Sequence, residues 1–191
     1  MVGGEALLRW NHPEHGLISP GDFVPIAEAT GLILPIGDWI LERACAQLRD
    51  WTEAGLQPVP ISVNLSAAQF RDKNLLDKVR ASLRDSEVDP SLIEFEITET
   101  ALMHDPEEAA ETLNHLLTLG VQLSIDDFGT GYSSLNYLKR FPLGKLKIDL
   151  SFVREITRSP ADEAIARAAT HLCHRLGLQV LAVGAETMSG E

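Results

Sequence analysis

Residues 121–126 have the sequence VQLSID, and this stretch decides the fold class of the chain. Its apolar side chains, Val121, Leu123 and Ile125, alternate with the polar ones. A period of two residues is typical of a β-strand whose two faces meet different surroundings. The stretch ends on a carboxylate, Asp126, and a second one, Asp127, follows it directly.

Similar short runs recur along the chain and are separated by longer segments with helical periodicity. The predicted strands lie at 5–9, 59–65, 92–98, 121–126, 145–149 and 178–183. The predicted helices lie near 21–30, 35–55, 72–86, 106–119 and 160–176. Because strands alternate with helices, the pattern indicates an α/β fold with a parallel sheet, whose functional residues lie at the carboxyl ends of the strands.

The ends of several helices carry local signals. Asp105 precedes Pro106 and two glutamates, which predicts an N-cap at Asp105. Gly55, Gly120 and Gly177 each follow a helical segment, where a left-handed residue is favoured.

The strand count is compatible with a TIM-type β/α barrel if the barrel is incomplete at both ends. Six predicted strands and 191 residues fall short of eight strands and the roughly 250 residues typical of that fold. The first strand begins close to Met1 and the last ends close to Glu191, so barrel elements are expected to be missing at each end. We predict one domain over residues 1–191. An open doubly wound sheet is the alternative that the pattern leaves open.

Composition limits the class of function. The formal net charge of -12 argues against a nucleic-acid polymer as a partner, although a small anion whose charge is met by metal ions remains compatible. The two cysteines, Cys45 and Cys173, lie in apolar helical segments, which predicts buried free thiols and a reducing compartment. No segment has the length and apolarity of a membrane span or the pattern of a signal peptide, so we expect a cytoplasmic domain.

Aromatic and histidine residues are expected to have ordinary structural roles. Trp39 and Trp51 match helical packing positions better than a base-stacking platform. His12 and His15 fall in a loop that contains Pro13 and are predicted to be loop residues.

Polar side chains share one face of each predicted strand, which would point into the barrel. Several carboxylates in one confined place repel one another, and bound cations remove that repulsion. Oxygen ligands without histidine or thiolate suit Mg²⁺ or Mn²⁺ better than Zn²⁺. Two such ions bridged by an aspartate can generate a hydroxide and stabilise an in-line displacement at phosphorus. The candidates are Asp126 and Asp127 for the ions and Lys147 for the attacking water or a phosphate.

The chain resembles the EAL family of cyclic di-GMP phosphodiesterases over its whole length. The motifs that carry the resemblance are EALLRW at 5–10, NLS at 64–66, EITE at 96–99, DDFGTGYSSL at 126–135 and KID at 147–149. The segment that runs from Gly16 through Glu28 is also similar to the family's.

The resemblance implies a TIM-type barrel that uses Mg²⁺ or Mn²⁺ to cleave cyclic di-GMP to a linear dinucleotide. It also implies a possible homodimer, with Glu99 bracing the loop that begins at Asp127. Lys147 would position the attacking water, and the substrate would contact Arg9, Asp149 and Glu186. The residues implied as metal ligands are Glu5, Asn64, Glu96, Asp126 and Asp127.

The last predicted strand departs from the family pattern. Val183 stands where the family has a glutamate that helps to bind the second metal and to activate water, so binding of the second ion is in doubt. Glu186 lies three residues further on. Proton transfer contributes about 10²–10⁴-fold to a rate, so turnover is expected to be impaired. The competing hypotheses are a catalytically inactive module that binds cyclic di-GMP or a protein, and a fragment whose open sheet edges prevent stable folding.

Overall fold

A computed structural model of the chain describes residues 3–128, 139–148, 167, 170–171 and 174–182. The chain divides into two compact units, one made of Met1–Glu96 and Asn114–Gln122 and the other of Ile97–Leu113 and Leu123–Glu191. Strands and helices alternate along the described residues, which confirms the predicted α/β class.

The elements are numbered in chain order. The strands are β1 (Gly4–Glu5), β2 (Trp10–His12), β3 (Gly16–Ile18), β4 (Ile61–Leu65), β5 (Ile93–Thr98), β6 (Gln122–Phe128), β7 (Lys145–Ile148) and β8 (Gln179–Ala182). The α-helices are α1 (Pro20–Thr30), α2 (Ile33–Glu53), α3 (Ala67–Phe70), α4 (Leu75–Ser86), α5 (Glu99–Met103) and α6 (Pro106–Thr118), and a 3-10 turn covers Pro90–Leu92.

The strands that the sequence predicted to form a parallel sheet do pair in parallel. In the first unit, β1 pairs with β4, with Gly4 opposite Ile61 and Glu5 opposite Ser62. In the second unit, β7 lies between β6 and β8 and is parallel to both. The antiparallel hairpin of β2 and β3 was not predicted.

In the core of the first unit, helix α2 buries one apolar face. The stripe Leu41, Ala44, Cys45 and Leu48 has the spacing of one helical face, and all four side chains are buried. Helix α2 uses this face to pack against α4. Burial raises the pKa of the Cys45 thiol, partly offset by a hydrogen bond with Ser86. Cys45 is therefore a buried free thiol, as predicted, whereas Cys173 lies outside the described residues.

Several predicted boundaries were wrong by a few residues. The largest error is the strand at 5–9, because strand pairing ends at Glu5 and residues 6–9 are irregular. Helix α4 begins at Leu75 rather than at residue 72, because Asp72 forms a turn in which its carboxylate accepts the backbone N–H of Asn74 at 3.0 Å. The short helices α3 and α5 were not predicted. Of the predicted helix at 160–176, residues 167, 170, 171 and 174–176 are described, and all but residue 176, which lies in a turn, are helical.

The predicted helix ends are confirmed at four positions. The Asp105 carboxylate accepts the backbone N–H of Glu108 at 3.1 Å, which is the N-cap interaction. Gly55, Gly120 and Gly177 have φ values of 73°, 92° and 76°, which side chains with a Cβ rarely adopt. Within the described part of the chain, no helix combines the length and the apolarity needed to cross a bilayer.

Asp72→Asn tests the ion pair that joins α4 to the turn before it. Lys78 Nζ lies 2.9 Å from an Asp72 oxygen, and the Asn74 backbone N–H together with Lys78 holds the pKa of Asp72 below its ordinary value. A depressed folded pKa contributes stability above the unfolded pKa, which is about 3.9 for aspartate, and this stability is lost as pH falls through the folded value. We expect Asp72→Asn to cost at most about 1 kcal/mol at pH 7, with the difference from wild type shrinking below about pH 4.

Urea denaturation between pH 3 and pH 7 measures this effect. Asp77→Asn is the matched control, because the Asp77 carboxylate on α4 is 79% exposed and pairs with Arg80. The control should leave the free energy of unfolding unchanged. Identical pH profiles for wild type and Asp72→Asn would contradict the prediction.

Candidate active site

The ends of β1 and β4 bring two predicted metal ligands into contact. The parallel register sets Glu5 opposite Ser62, and Asn64 lies two residues further along the same face of β4. Asn64 Nδ2 donates a hydrogen bond of 2.8 Å to Glu5 Oε1. The backbone N–H of Ala6 donates to the carbonyl of Ser62 at 2.8 Å, so this is the last step of the ladder. The carboxylate and the amide are exposed and adjacent.

Strand β5 is buried on both faces. Ile93, Phe95 and Ile97 form its apolar face, and on the opposite face Glu94 and Glu96 are 2% and 4% exposed. A buried carboxylate is costly unless charge or hydrogen bonds compensate it, so two of them on one strand mark a polar interior face. Glu96 therefore occupies the kind of position that the sequence predicted for a metal ligand.

Strand β6 carries a bulge at the two aspartates. Ile125 is opposite Leu146 and Phe128 is opposite Ile148, so three steps on β6 match two on β7. Asp127 has φ 54°, and its backbone N–H donates to Asp126 Oδ1 at 2.9 Å. The extra residue frees Asp127 from the regular alternation of a strand, which would turn neighbouring side chains to opposite faces.

Lys147 on β7 forms an ion pair with Asp126. Its Nζ lies 3.6 Å from Asp126 Oδ2, and the Lys147 side chain is buried while that of Asp126 is about one-fifth exposed. Burial of an ammonium group costs several kcal/mol unless an opposite charge compensates it. The pair therefore holds the lysine nitrogen beside the aspartate that the sequence assigned to metal binding.

The other predicted site residues have different positions. Glu99 lies in the first turn of α5 and is 1% exposed, which suits a structural role for its carboxylate. Arg9 is exposed, and its guanidinium donates to the Leu8 carbonyl at 2.8 Å. Asp149, Glu186 and Val183 lie outside the described residues.

A cavity of about 460 Å³ adjoins Glu5 and Arg9 within the first unit. Trp39, Arg43 and Trp51 contribute to its lining. Trp39 is 54% exposed, so the prediction of a helical packing position was wrong for this residue. His15 lies in the turn between β2 and β3, as predicted for a loop residue, whereas His12 is the last residue of β2. The His12 Nδ1 atom accepts the backbone N–H of His15 at 3.2 Å and so shapes this turn.

The donor chemistry of the described residues fits a hard divalent cation. Glu5 and Asp126 offer carboxylate oxygens, and Asn64 directs its amide nitrogen to Glu5, which leaves its amide oxygen as the ligand atom. Among the described residues, no three carboxylate, imidazole or thiol side chains form one metal-binding cluster. The structure thus brings together Glu5 with Asn64, and Asp126 with Lys147, and a common metal centre stays a prediction.

Comparison with known proteins gives a consistent result. The EAL domain family model matches residues 1–189. The bifunctional diguanylate cyclase/cyclic di-GMP phosphodiesterase MucR of Pseudomonas aeruginosa is 49% identical over 187 residues, which are 98% of this chain and 27% of MucR. The cyclic di-GMP phosphodiesterase NbdA of the same organism is 45% identical over 183 residues, 96% of this chain and 23% of NbdA. The chain thus spans about a quarter of the length of these relatives.

A solved structure of the MucR phosphodiesterase in complex with cyclic di-GMP superimposes with a TM-score of 0.94 at 49% identity. The match covers 98% of this chain and 76% of that one. It confirms the predicted TIM-type β/α barrel over an open doubly wound sheet. The chain belongs to the EAL domain family.

Substitution of Asp127 tests whether the bulge depends on its left-handed backbone. Asparagine and glycine adopt positive φ readily, whereas a β-branched residue does so at a cost of about 1–2 kcal/mol. We expect Asp127→Val to lower the free energy of unfolding by that amount relative to Asp127→Asn, as measured by chemical denaturation. Both variants lose the charge, so Asp127→Asn is the matched control. Equal stability of the two variants would show that the bulge does not require this conformation.

Proposed function

We propose that this chain is one EAL domain over residues 1–191 that hydrolyses cyclic di-GMP to a linear dinucleotide in the presence of Mg²⁺ or Mn²⁺. The observation that carries the proposal is the buried ion pair of Lys147 with Asp126, next to Asp127 at the bulge of β6. The similarity to two proteins named as cyclic di-GMP phosphodiesterases supports the choice of substrate.

The resemblance to the family implies a role for each site residue, and the chemistry of the side chains is compatible with these roles. Glu5, Asn64, Glu96, Asp126 and Asp127 would supply oxygen ligands, with Asp126 shared between two ions. When bound, the ions would lower the pKa of a coordinated water and neutralise charge on the phosphate. Lys147 would hold that water by donating a hydrogen bond, and Asp126 keeps the ammonium in place. Arg9, Asp149 and Glu186 would contact the substrate.

Charge explains why such a site needs cations. The chain has a formal net charge of -12 and the substrate carries two phosphodiester groups, so an uncompensated encounter would be repulsive. Among the described residues, Arg9 and Arg43 line the cavity that adjoins Glu5, and Lys147 is already paired with Asp126. Divalent ions would therefore provide most of the attraction for the substrate.

Val183 favours a second candidate function, which is binding of cyclic di-GMP without hydrolysis. A valine cannot bind a metal or accept a proton, so the second ion and the activation of water would both be weakened. For this reason, we propose that the wild-type chain hydrolyses cyclic di-GMP at a reduced rate. We further propose a cytoplasmic domain that forms a homodimer, with Glu99 bracing the loop that begins at Asp127.

Hydrolysis by wild type, Val183→Glu and Lys147→Met distinguishes the two candidates. With Mn²⁺ present, we expect wild type to convert cyclic di-GMP slowly to the linear dinucleotide, resolved by chromatography. Val183→Glu should raise kcat by about 10²-fold or more, because it restores a proton acceptor. Lys147→Met should abolish turnover, because it removes the group that positions water.

Lys73→Met is the matched control, because it replaces an exposed lysine in the turn before α4 by the same side chain. Calorimetry of cyclic di-GMP binding accompanies the assay. Binding by wild type without turnover, together with turnover by Val183→Glu, would favour the second candidate. Absence of both binding and turnover in wild type and Val183→Glu would contradict both candidates.

A further inference from the structure

Gln69 lies directly against a glycine of helix α2. The two residues are buried, and a Cβ placed on Gly37 would overlap the side-chain amide of Gln69. Glycine inside a helix is destabilising relative to alanine, so helix propensity does not account for it. The close approach of Gln69 does account for it, because only glycine leaves space for that side chain.

The side chain of Gln69 completes a capping box at the start of α3. Its Oε1 accepts the backbone N–H of Ser66 at 3.2 Å, and Ser66 Oγ accepts the backbone N–H of Gln69 at the same distance. Helix α3 has four residues, too few to persist without such contacts. The capping box therefore determines the path of the chain where it leaves β4.

Asn64 lies between this capping box and the ladder to β1. Its amide donates to Glu5 at 2.8 Å, and Leu65, which separates it from Ser66, is buried. The orientation of the Asn64 side chain thus depends on the backbone at Leu65 and Ser66. The buried packing of Leu65 fixes its backbone, and the capping box fixes the backbone at Ser66.

We infer that Gln69 is a positioning residue for Asn64, and that Gly37 is required because it admits the Gln69 side chain. The inference rests on the proposed function for the role of Asn64 as a metal ligand. Neither Gln69 nor Gly37 is among the residues proposed to bind metal or substrate. Groups that orient a metal ligand typically affect metal affinity by roughly 10–100-fold when they are removed.

Substitution of Gln69 by alanine and by glutamate provides the test. Glutamate at this position completes the same capping box, whereas alanine cannot accept the Ser66 N–H. We expect Gln69→Ala to weaken Mn²⁺ affinity by roughly 10–100-fold in calorimetry, to speed hydrogen exchange of the Ser66 amide and to shift the NMR signal of the Asn64 side-chain amide. Gln69→Glu should restore all three properties to near the wild-type values.

Gly37→Ala is the complementary variant. Alone, it should displace Gln69 and reproduce the effects of Gln69→Ala. In the double variant with Gln69→Ala, the three side-chain atoms nearest to the added methyl are removed and glycine is replaced by a better helix former, so Tm should rise above that of Gln69→Ala. A purely structural role for Gln69 would lower Tm in Gln69→Ala without changing the Asn64 amide signal or Mn²⁺ affinity.

The outcomes separate this inference from the proposed function. An unchanged Asn64 amide signal and unchanged Mn²⁺ affinity in folded Gln69→Ala would overturn the inference. A wild-type protein that binds Mn²⁺ but leaves cyclic di-GMP intact would count against the proposed hydrolysis alone. If wild type binds no Mn²⁺, the metal-free NMR signal of Asn64 and the exchange of Ser66 still decide whether Gln69 positions Asn64.

Discussion

Parallel pairing of short strands is the interaction on which the candidate site depends. The register of β1 with β4 places Glu5 beside Ser62, and Asn64 follows one step along the same face. In the second unit, pairing of β6 with β7 holds Lys147 near Asp126. Backbone hydrogen bonds, which do not depend on side-chain charge, hold these polar groups at fixed positions.

Local periodicity predicted the fold class because each strand and helix packs with its own apolar face. The stripe from Leu41 to Leu48 and the alternation from Val121 to Ile125 are such faces, and both are buried. The strand predicted at 5–9 was wrong for the same physical reason. Its alternation continues after Glu5, but Leu7 is exposed and the ladder to β4 ends at Ala6. A single segment does not show where its partner strand ends.

The local geometry of the site was less predictable than its residue types. Asp126 and Asp127 could be assigned as acids at a strand end, but the bulge depends on the register with β7, which no local pattern contains. The capping box at Ser66 and Gln69 could have been found, since serine followed three residues later by glutamine is a known helix-start signal. The contact of Gln69 with Gly37 could not, because the two residues lie far apart in the sequence.

The two described pairs keep their polar groups partnered when no metal ion is bound. Glu5 is hydrogen-bonded by the Asn64 amide, and Asp126 is paired with a buried ammonium, so each has a local partner without any metal ion. An additional carboxylate where the family has its glutamate would add negative charge to a chain that already has a net charge of -12. In the absence of cations, that charge would be repulsive rather than stabilising. We therefore expect the replacement of this acid by Val183 to impair the proposed hydrolysis more than it impairs folding.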